Sequence, residues 1–237
     1  MVDGVFVGNV IQSAPDAAYM ARHVGLKSGV PISTQALTIN RLCGSGFETI
    51  SQGAQAIKLG LANVTVCGGA ENMSAAPMTI DGISARWGAA LGKGLQAQDS
   101  LWAGLTDSYA GTPMGVTAEN LAKKHGITRE ECDRFAVRSQ QKWTDAKAAG
   151  HFDDEIVPIE IKTRKGVVTV DTDEHPKPGT SLESLAKLKP VFDKEGVVTA
   201  ASASGICDGA GTIILASEQA VAEHGLKPLC KLSSWNR

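Results

Sequence analysis

The hydrophobic pattern opens with Val5 to Gln12, an apolar run of strand length, and then Ala17 to His23, spaced as a short helix that Gly25 closes. Thr34 to Ile39 is a second strand. Phe47, Ile50, Ala54, Ile57 and Leu61 follow at spacings of 3, 4, 3 and 4, one face of a helix, and Val64 to Cys67 is a short buried strand that runs into Gly68 and Gly69. Residues 34–67 therefore spell strand, helix, strand, which predicts a parallel α/β layer.

From about Glu71 to Pro113 the periodicity fades and Gly, Ala, Ser and Met dominate, so this stretch is predicted to be loop with short helical pieces. Two helices come next. One spans Thr117 to His125 and stops at Gly126; the other opens on the capping box Thr128-x-x-Glu131 and stops at Gly150. Cys132, Phe135, Ala136, Ser139 and Trp143 mark the face that this second helix is expected to bury. Ile156 to Thr163 and Val167 to Val170 flank Arg164-Lys165-Gly166 as a β-hairpin. After Val197 to Thr199 comes the small-residue run AASASGICDGAG, then a strand from Thr212 to Ala216, a short helix capped by Ser217 and ended by Gly225, and a strand opening at Leu229 to Leu232.

Composition narrows the class. The 237 residues are 43% hydrophobic and 5% aromatic, enough for one large domain or two modest ones with a core. Basic and acidic residues number 23 and 25, a net charge of −2, which gives no reason to expect nucleic acid or an anionic membrane as partner. No apolar stretch approaches the roughly 20 residues of a membrane span. The five cysteines, 43, 67, 132, 207 and 230, form no CxxC pair and no zinc-like spacing, so the expectation is a reducing compartment and no metal. The N-terminus is neither a secretory signal nor an arginine-rich transit peptide. It reads as a strand already inside a domain, and the late strand at Leu229 starts with nothing to pair with; both lead to an expectation that sequence is missing at each end.

One cysteine sits where chemistry is possible. A strand ending near Ile39 and a helix starting near Gly44 put Cys43 on a strand-to-helix elbow, close to the free N–H groups and positive end of a helix. Such a position favours the thiolate, the nucleophilic form. Gly44 and Gly46 are expected to permit a sharp turn and close approach of an acyl group, with the Cys43 N–H near a developing oxyanion. On the residues alone, a small buried thiol is the competing explanation. Cys67, Cys132, Cys207 and Cys230 have no comparable elbow and take the core or structural role. His125, His151, His175 and His224 sit at helix ends or in loops, as solvated histidines do. Glu71 and Asn72 beside the glycine pair are expected to shape a turn and a subunit contact.

The text NRLCGSGFETISQGAQAIKLG, followed by VTVCGGAENMS, resembles the active-cysteine signature of the thiolases. The resemblance continues in order through PMGVTAENLAKKHGITREECDRFAVRSQQKW, DDEIVPIEIK, DEHPKPGTSLESLAKLKPVF and VTAASASGICDGAG, covering nearly all of residues 2–232. Within the thiolases, YMARHVGL and LTINRLCGSGF are most like the mitochondrial 3-ketoacyl-CoA type, with the acetoacetyl-CoA type second. The implied fold is thiolase-like α/β: a layered N-terminal domain with an inserted helical and β-hairpin loop domain, the C-terminal half absent. Implied boundaries are core at 1–75 with its first strand missing, loop domain at 76–195, return to the core at 196–225, and the start of a truncated half at 226–237.

The resemblance implies acyl transfer through an acyl-cysteine, with no permanently bound cofactor and coenzyme A as co-substrate. Cys43 matches the nucleophile. Ser204 and Gly205 match small residues against the pantetheine arm of CoA, Ala200 lies on the same strip, Met114 matches a pocket-lining position, and Lys177 falls where some members carry a basic residue near the CoA phosphates. Taken as plain sequence, these are a tight turn before a strand, a core methionine and a solvated loop lysine. The resemblance also implies acyl-CoA and CoA as partners, a homo-oligomer of two or four subunits, and the mitochondrial matrix.

The pattern breaks at its far end. The family also uses a histidine in Gly-His-Pro, an asparagine in Asn-Glu-Ala-Phe and a second cysteine in a late Cys-x-Gly; none of the three is present in its place. Pro113 stands where some members have histidine, Ala201-Ser202 replaces Gly-Asn, and the ending SSWNR departs from thiolase text. The missing first strand is expected to come from the middle of the sheet and leave a gap. A chain of this kind is therefore either the nucleophile-bearing part of an acyltransferase or a non-catalytic protein that binds acyl-CoA or thiolase subunits. A cysteine hydrolase would need a histidine beside Cys43, which no local text supplies.

Overall fold

The computed structural model describes residues 1–235. In chain order the first elements are β1 (Gly4–Gly8), α1 (Met20–Lys27), β2 (Gln35–Ile39), α2 (Ser45–Lys58) and β3 (Val64–Asn72). Two short strands and two short helices follow: β4 (Met78–Ile80), α3 (Gly82–Trp87), β5 (Ala97–Asp99) and α4 (Ser100–Gly104). Then come β6 (Thr106–Asp107), β7 (Thr112–Pro113), α5 (Met114–His125), α6 (Arg129–Ala148), β8 (Ile159–Thr163), β9 (Gly166–Val170), α7 (Leu182–Leu185), β10 (Asp208–Ala216) and α8 (Glu218–His224). The chain divides into two compact units, Met1–Gly104 with the stretch from Ile206 onward, and Leu105–Gly205. The cuts fall at 104/105 and 205/206, later than the sequence boundaries at 75/76 and 195/196; at the first, the β4–β5 hairpin closes back on residue 77 through Ser100 N–H to Pro77 O.

The first unit is built on a four-stranded sheet of order β10-β3-β1-β2. Strands β2, β1 and β3 are parallel, with Gly4 opposite both Gln35 and Thr65, and β10 runs antiparallel to β3 along nine residues. The expected gap in the middle of this sheet is absent: β1 bonds directly to a neighbour on each side, and the edges of the sheet are β2 and β10. Alternation along β1 sends Val5 and Val7 to one face, where they are buried with Ala21 of α1, and Gly4 and Gly8 to the other, where α2 packs. Gly25 lies inside α1 and not at its end, packed where a Cβ would come 3.3 Å from Val5; the helix runs on to Lys27 and the turn is made at Gly29, φ 77°.

Helix α2 departs from its predicted face. Of Phe47, Ile50, Ala54, Ile57 and Leu61 only Ala54 is buried, whereas Ser45, Thr49 and Gly53, spaced by four, lie against the sheet. Gly53 explains the choice: a Cβ there would sit 2.5 Å from Cys67 Sγ, so the helix approaches β3 through its smallest side chains. Phe47 and Leu61 are left exposed.

β1 is shorter than the predicted strand because Glu71 takes over its end. The Glu71 carboxylate accepts the Val10 N–H at 3.0 Å, the Ile11 N–H at 2.9 Å and the Asn9 side-chain amide at 3.1 Å. Glu71 thus shapes the exit from the sheet, and Asn72 accepts the Ala75 N–H at 3.0 Å in the turn that follows. No strand forms at 229–232, and the last two positions of the 226–237 segment lie outside the described residues.

In the second unit the capping box predicted at Thr128 and Glu131 is formed, and α5 ends on Gly126 with φ 64°. The buried residues of α6 are Asp133 and Ala136, and Phe135 is 64% exposed. Asp133 is buried because Arg129 pairs with it and also donates to Leu185 O at 2.7 Å, tying α6 to α7. The hairpin β8–β9 forms as expected, with Thr163 opposite Gly166.

Candidate functional site

The Cys43 elbow is assembled by the end of the sheet and the start of α2. The sharp turn is carried by Leu42, the one non-glycine residue with positive φ (49°) among the described residues, and not by Gly44, whose φ is −86°. A left-handed leucine costs roughly 1–2 kcal/mol, so the surroundings must hold it. They do so with Asn40 Oδ1, which accepts the Leu42 N–H at 3.0 Å, and with Ser45 Oγ, which accepts the Arg41 N–H at 2.8 Å and donates to Leu42 O at 2.6 Å. One turn on, the buried Glu48 carboxylate takes the Arg41 guanidinium and the Gln52 amide.

The glycine that matters for this geometry lies elsewhere in the sequence. A Cβ on Gly8, the last residue of β1, would come 2.8 Å from the Ser45 backbone carbon, whereas Gly46 has open space around it. Gly8 thus lets the N-terminus of α2 rest on the strand end, with Gly69 of β3 close to Gly46. The N–H groups of Gly44, Ser45 and Glu48 are bonded to Arg41 O, Leu42 O and Gly44 O; those of Cys43, Gly46 and Phe47 meet no acceptor among the described residues. Cys43 is exposed at this positive helix end. A cleft of 490 Å³ runs along β2 and the first turns of α2, lined in part by Asn40, Arg41 and Glu48; Cys43 is not part of its wall.

The other cysteines separate cleanly. Cys67 is fully buried and burial pushes its thiol up, which fits the structural role. Burial and the neighbouring carboxylates of Asp133 and Glu131 do the same to Cys132. Cys207 and Cys230 are exposed and so are not core residues. No three His, Cys, Asp or Glu side chains converge as metal ligands would among the described residues.

Met114, Lys177, Ala200, Ser204 and Gly205 all fall in the second unit, where three glycines meet larger side chains from distant parts of the sequence. Met114 opens α5 with its N–H on Leu105 O, and the Phe192 ring fills the space beside Gly115, where a Cβ would lie 2.1 Å from it. From the same helix, the buried Glu119 carboxylate accepts the Val197 and Val198 N–H groups at 2.9 Å each and packs on Gly196. Thr199, fully buried, then bonds Ser202 Oγ and starts the strip, along which Ala200, Ala203 and Ser204 are exposed. At its end the His175 ring covers Gly205. Lys177, two residues further on, is exposed, with its N–H on Gln140 Oε1 at 2.7 Å. Glu119, Phe192 and His175 were not singled out for this site by the sequence. The signal that existed was the set of partner glycines 115, 196 and 205, none of which has positive φ.

Residues 1–219 match the family model described as thiolase, N-terminal domain. The chain belongs to the thiolase family. It is 55% identical to the mitochondrial 3-ketoacyl-CoA thiolase of Bos taurus and 54% identical to that of Homo sapiens, over 98% of this chain and 58% of theirs. The crystal structure of human mitochondrial 3-ketoacyl-CoA thiolase superposes with a TM-score of 0.92 at 55% identity, over 96% of this chain and 57% of that one. The structure of the human enzyme in complex with CoA superposes with a TM-score of 0.90. This thiolase chain therefore spans a little under three fifths of the length of these relatives.

Proposed function

We propose that the protein takes part in thiolytic cleavage of 3-ketoacyl-CoA, with Cys43 as the acyl-accepting nucleophile. The Cys43 thiolate attacks the 3-keto carbonyl carbon, the bond between C2 and C3 breaks, and the two-carbon fragment leaves as acetyl-CoA once its carbanion gains a proton. A second CoA thiol then attacks the acyl-cysteine, forming the shortened acyl-CoA and returning the thiol. The observation that carries this reading is an exposed cysteine at a strained elbow under a helix N-terminus, within a chain of thiolase sequence. Uncommitted amides at the same helix end are suited to an oxyanion. Ala200, Ser204 and Gly205 serve the pantetheine arm, Met114 the acyl pocket and Lys177 the CoA phosphates. The names of the relatives support a mitochondrial setting, and oligomerisation is part of the same proposal.

The three absent family motifs limit what this chain does by itself. Cys43 has the helix terminus but no histidine in the family's Gly-His-Pro position and no second cysteine to move the α-proton. The expected outcome with 3-ketoacyl-CoA is a slow release of acetyl-CoA of about one equivalent and no sustained turnover, and the Cys43→Ser form should release none. Equal release from both forms overturns the role of Cys43. A second reading, a non-catalytic binder of acyl-CoA or thiolase subunits, draws on the outward apolar residues Phe47 of α2 and Leu61 just beyond it. Co-purification with an intact thiolase subunit, without any acyl transfer, would favour it.

A further inference from the structure

His175 lies in the loop between β9 and α7, and that loop is fastened to α6 on both sides of it. Trp143 Nε1 donates to Asp173 Oδ2 at 3.1 Å, and the Lys177 N–H donates to Gln140 Oε1 at 2.7 Å. The imidazole is thereby delivered to one place: a Cβ on Gly205 would lie 1.7 Å from His175 Cε1 and 2.2 Å from Nε2. The ring occupies the space that a side chain at position 205 would need. Since Gly205 does not have positive φ, its glycine serves this contact and not a turn.

The consequence is a strip held at both ends. Glu119 and Thr199 fix its start, His175 fixes its end, and the exposed Ala200, Ala203 and Ser204 lie between. An extended amide such as the pantetheine arm gains affinity from a backbone that is ordered before it arrives. We propose that His175 is a positioning residue for CoA: its ring holds the Ser204–Gly205 backbone in the form that the arm binds. This rests on the CoA role proposed above for Ala200, Ser204 and Gly205. The effect comes from ring size and planarity, so it does not require a charge or a proton on His175.

Titration calorimetry of the whole chain with CoA, with thermal melting of each variant alongside, tests this. His175→Ala is expected to bind CoA about tenfold more weakly, and His175→Phe within about twofold of the wild type. Gly205→Ala should weaken binding too, and adding it to His175→Ala should cost less than it does in the wild type, since the clash is gone. His175→Ala binding CoA as the wild type does overturns the inference, as does a folded His175→Phe that binds as weakly as His175→Ala. Absence of CoA binding by the wild type overturns this inference together with the CoA role of the strip; wild-type binding that the His175 variants leave unchanged overturns the positioning role alone.

Discussion

The Cys43 elbow and the 199–205 strip are held in place by opposite means. The elbow is held by regular structure: a parallel strand, a helix seated on the strand end through Gly8, and a leucine kept at φ 49° by local hydrogen bonds. The strip has no regular structure: Glu119 accepts the Val197 and Val198 N–H groups just before it, Thr199 and Ser202 bond to each other at its start, and the His175 ring packs on Gly205 at its end. Backbone dipoles and local strain shape the elbow, whereas a few side chains from distant parts of the sequence fix the strip without a sheet.

The strip is therefore expected to be vulnerable to loss of one side chain, and the elbow is not. Glu119→Ala removes the acceptor of two N–H groups and should destabilise the second unit by about 3 kcal/mol, measurable by urea denaturation. Glu119→Gln, which keeps one acceptor oxygen, should lose less. A change under 0.5 kcal/mol would mean that the strip is ordered by something else.

At the elbow the sensitive element is backbone approach. Gly8→Ala places a Cβ 2.8 Å from the Ser45 backbone carbon and should cost about 1–3 kcal/mol. Gly46→Ala, with open space around it, should cost little in the same measurement. Equal costs at the two positions would show that the helix end moves freely and that the elbow is not seated as described.

The smallest effect concerns pH. Asp3 accepts the Asn63 and Val64 N–H groups at 2.7 and 3.0 Å, which stitches the start of β1 to the start of β3 and holds its carboxyl below the ordinary range. A depressed folded-state value means that this stabilisation is fully present above the unfolded carboxylate range, about pH 4, and is lost as pH falls through the folded-state value. Asp3→Asn should therefore lower stability at neutral pH and flatten its fall in acid. An unchanged acid slope would remove Asp3 from the account.

LTINRLCGSGFETI announced a strand, a turn and a helix, and the helix and elbow are there. Periodicity misjudged which face α2 buries, because it assumes that the apolar stripe faces the core. Here Ser45, Thr49 and Gly53 are the contact, chosen by the short distance to β3, and Phe47 and Leu61 face outward. The strip was recognised by resemblance as a run of small residues. Its supports were not, since a contact from position 119 to 197, or 175 to 205, leaves no local pattern in the sequence. Gly205, which on plain sequence belongs to a tight turn, is instead a site of close packing, as is Gly196.

Whether the elbow makes Cys43 an acyl acceptor is decided by intact-mass spectrometry with peptide mapping after incubation with acetyl-CoA. The expected result is a slow gain of one acetyl group, located on Cys43 and lost in Cys43→Ser. Acetylation of the exposed Cys207 or Cys230 at an equal rate, or labelling that persists in Cys43→Ser, would contradict it.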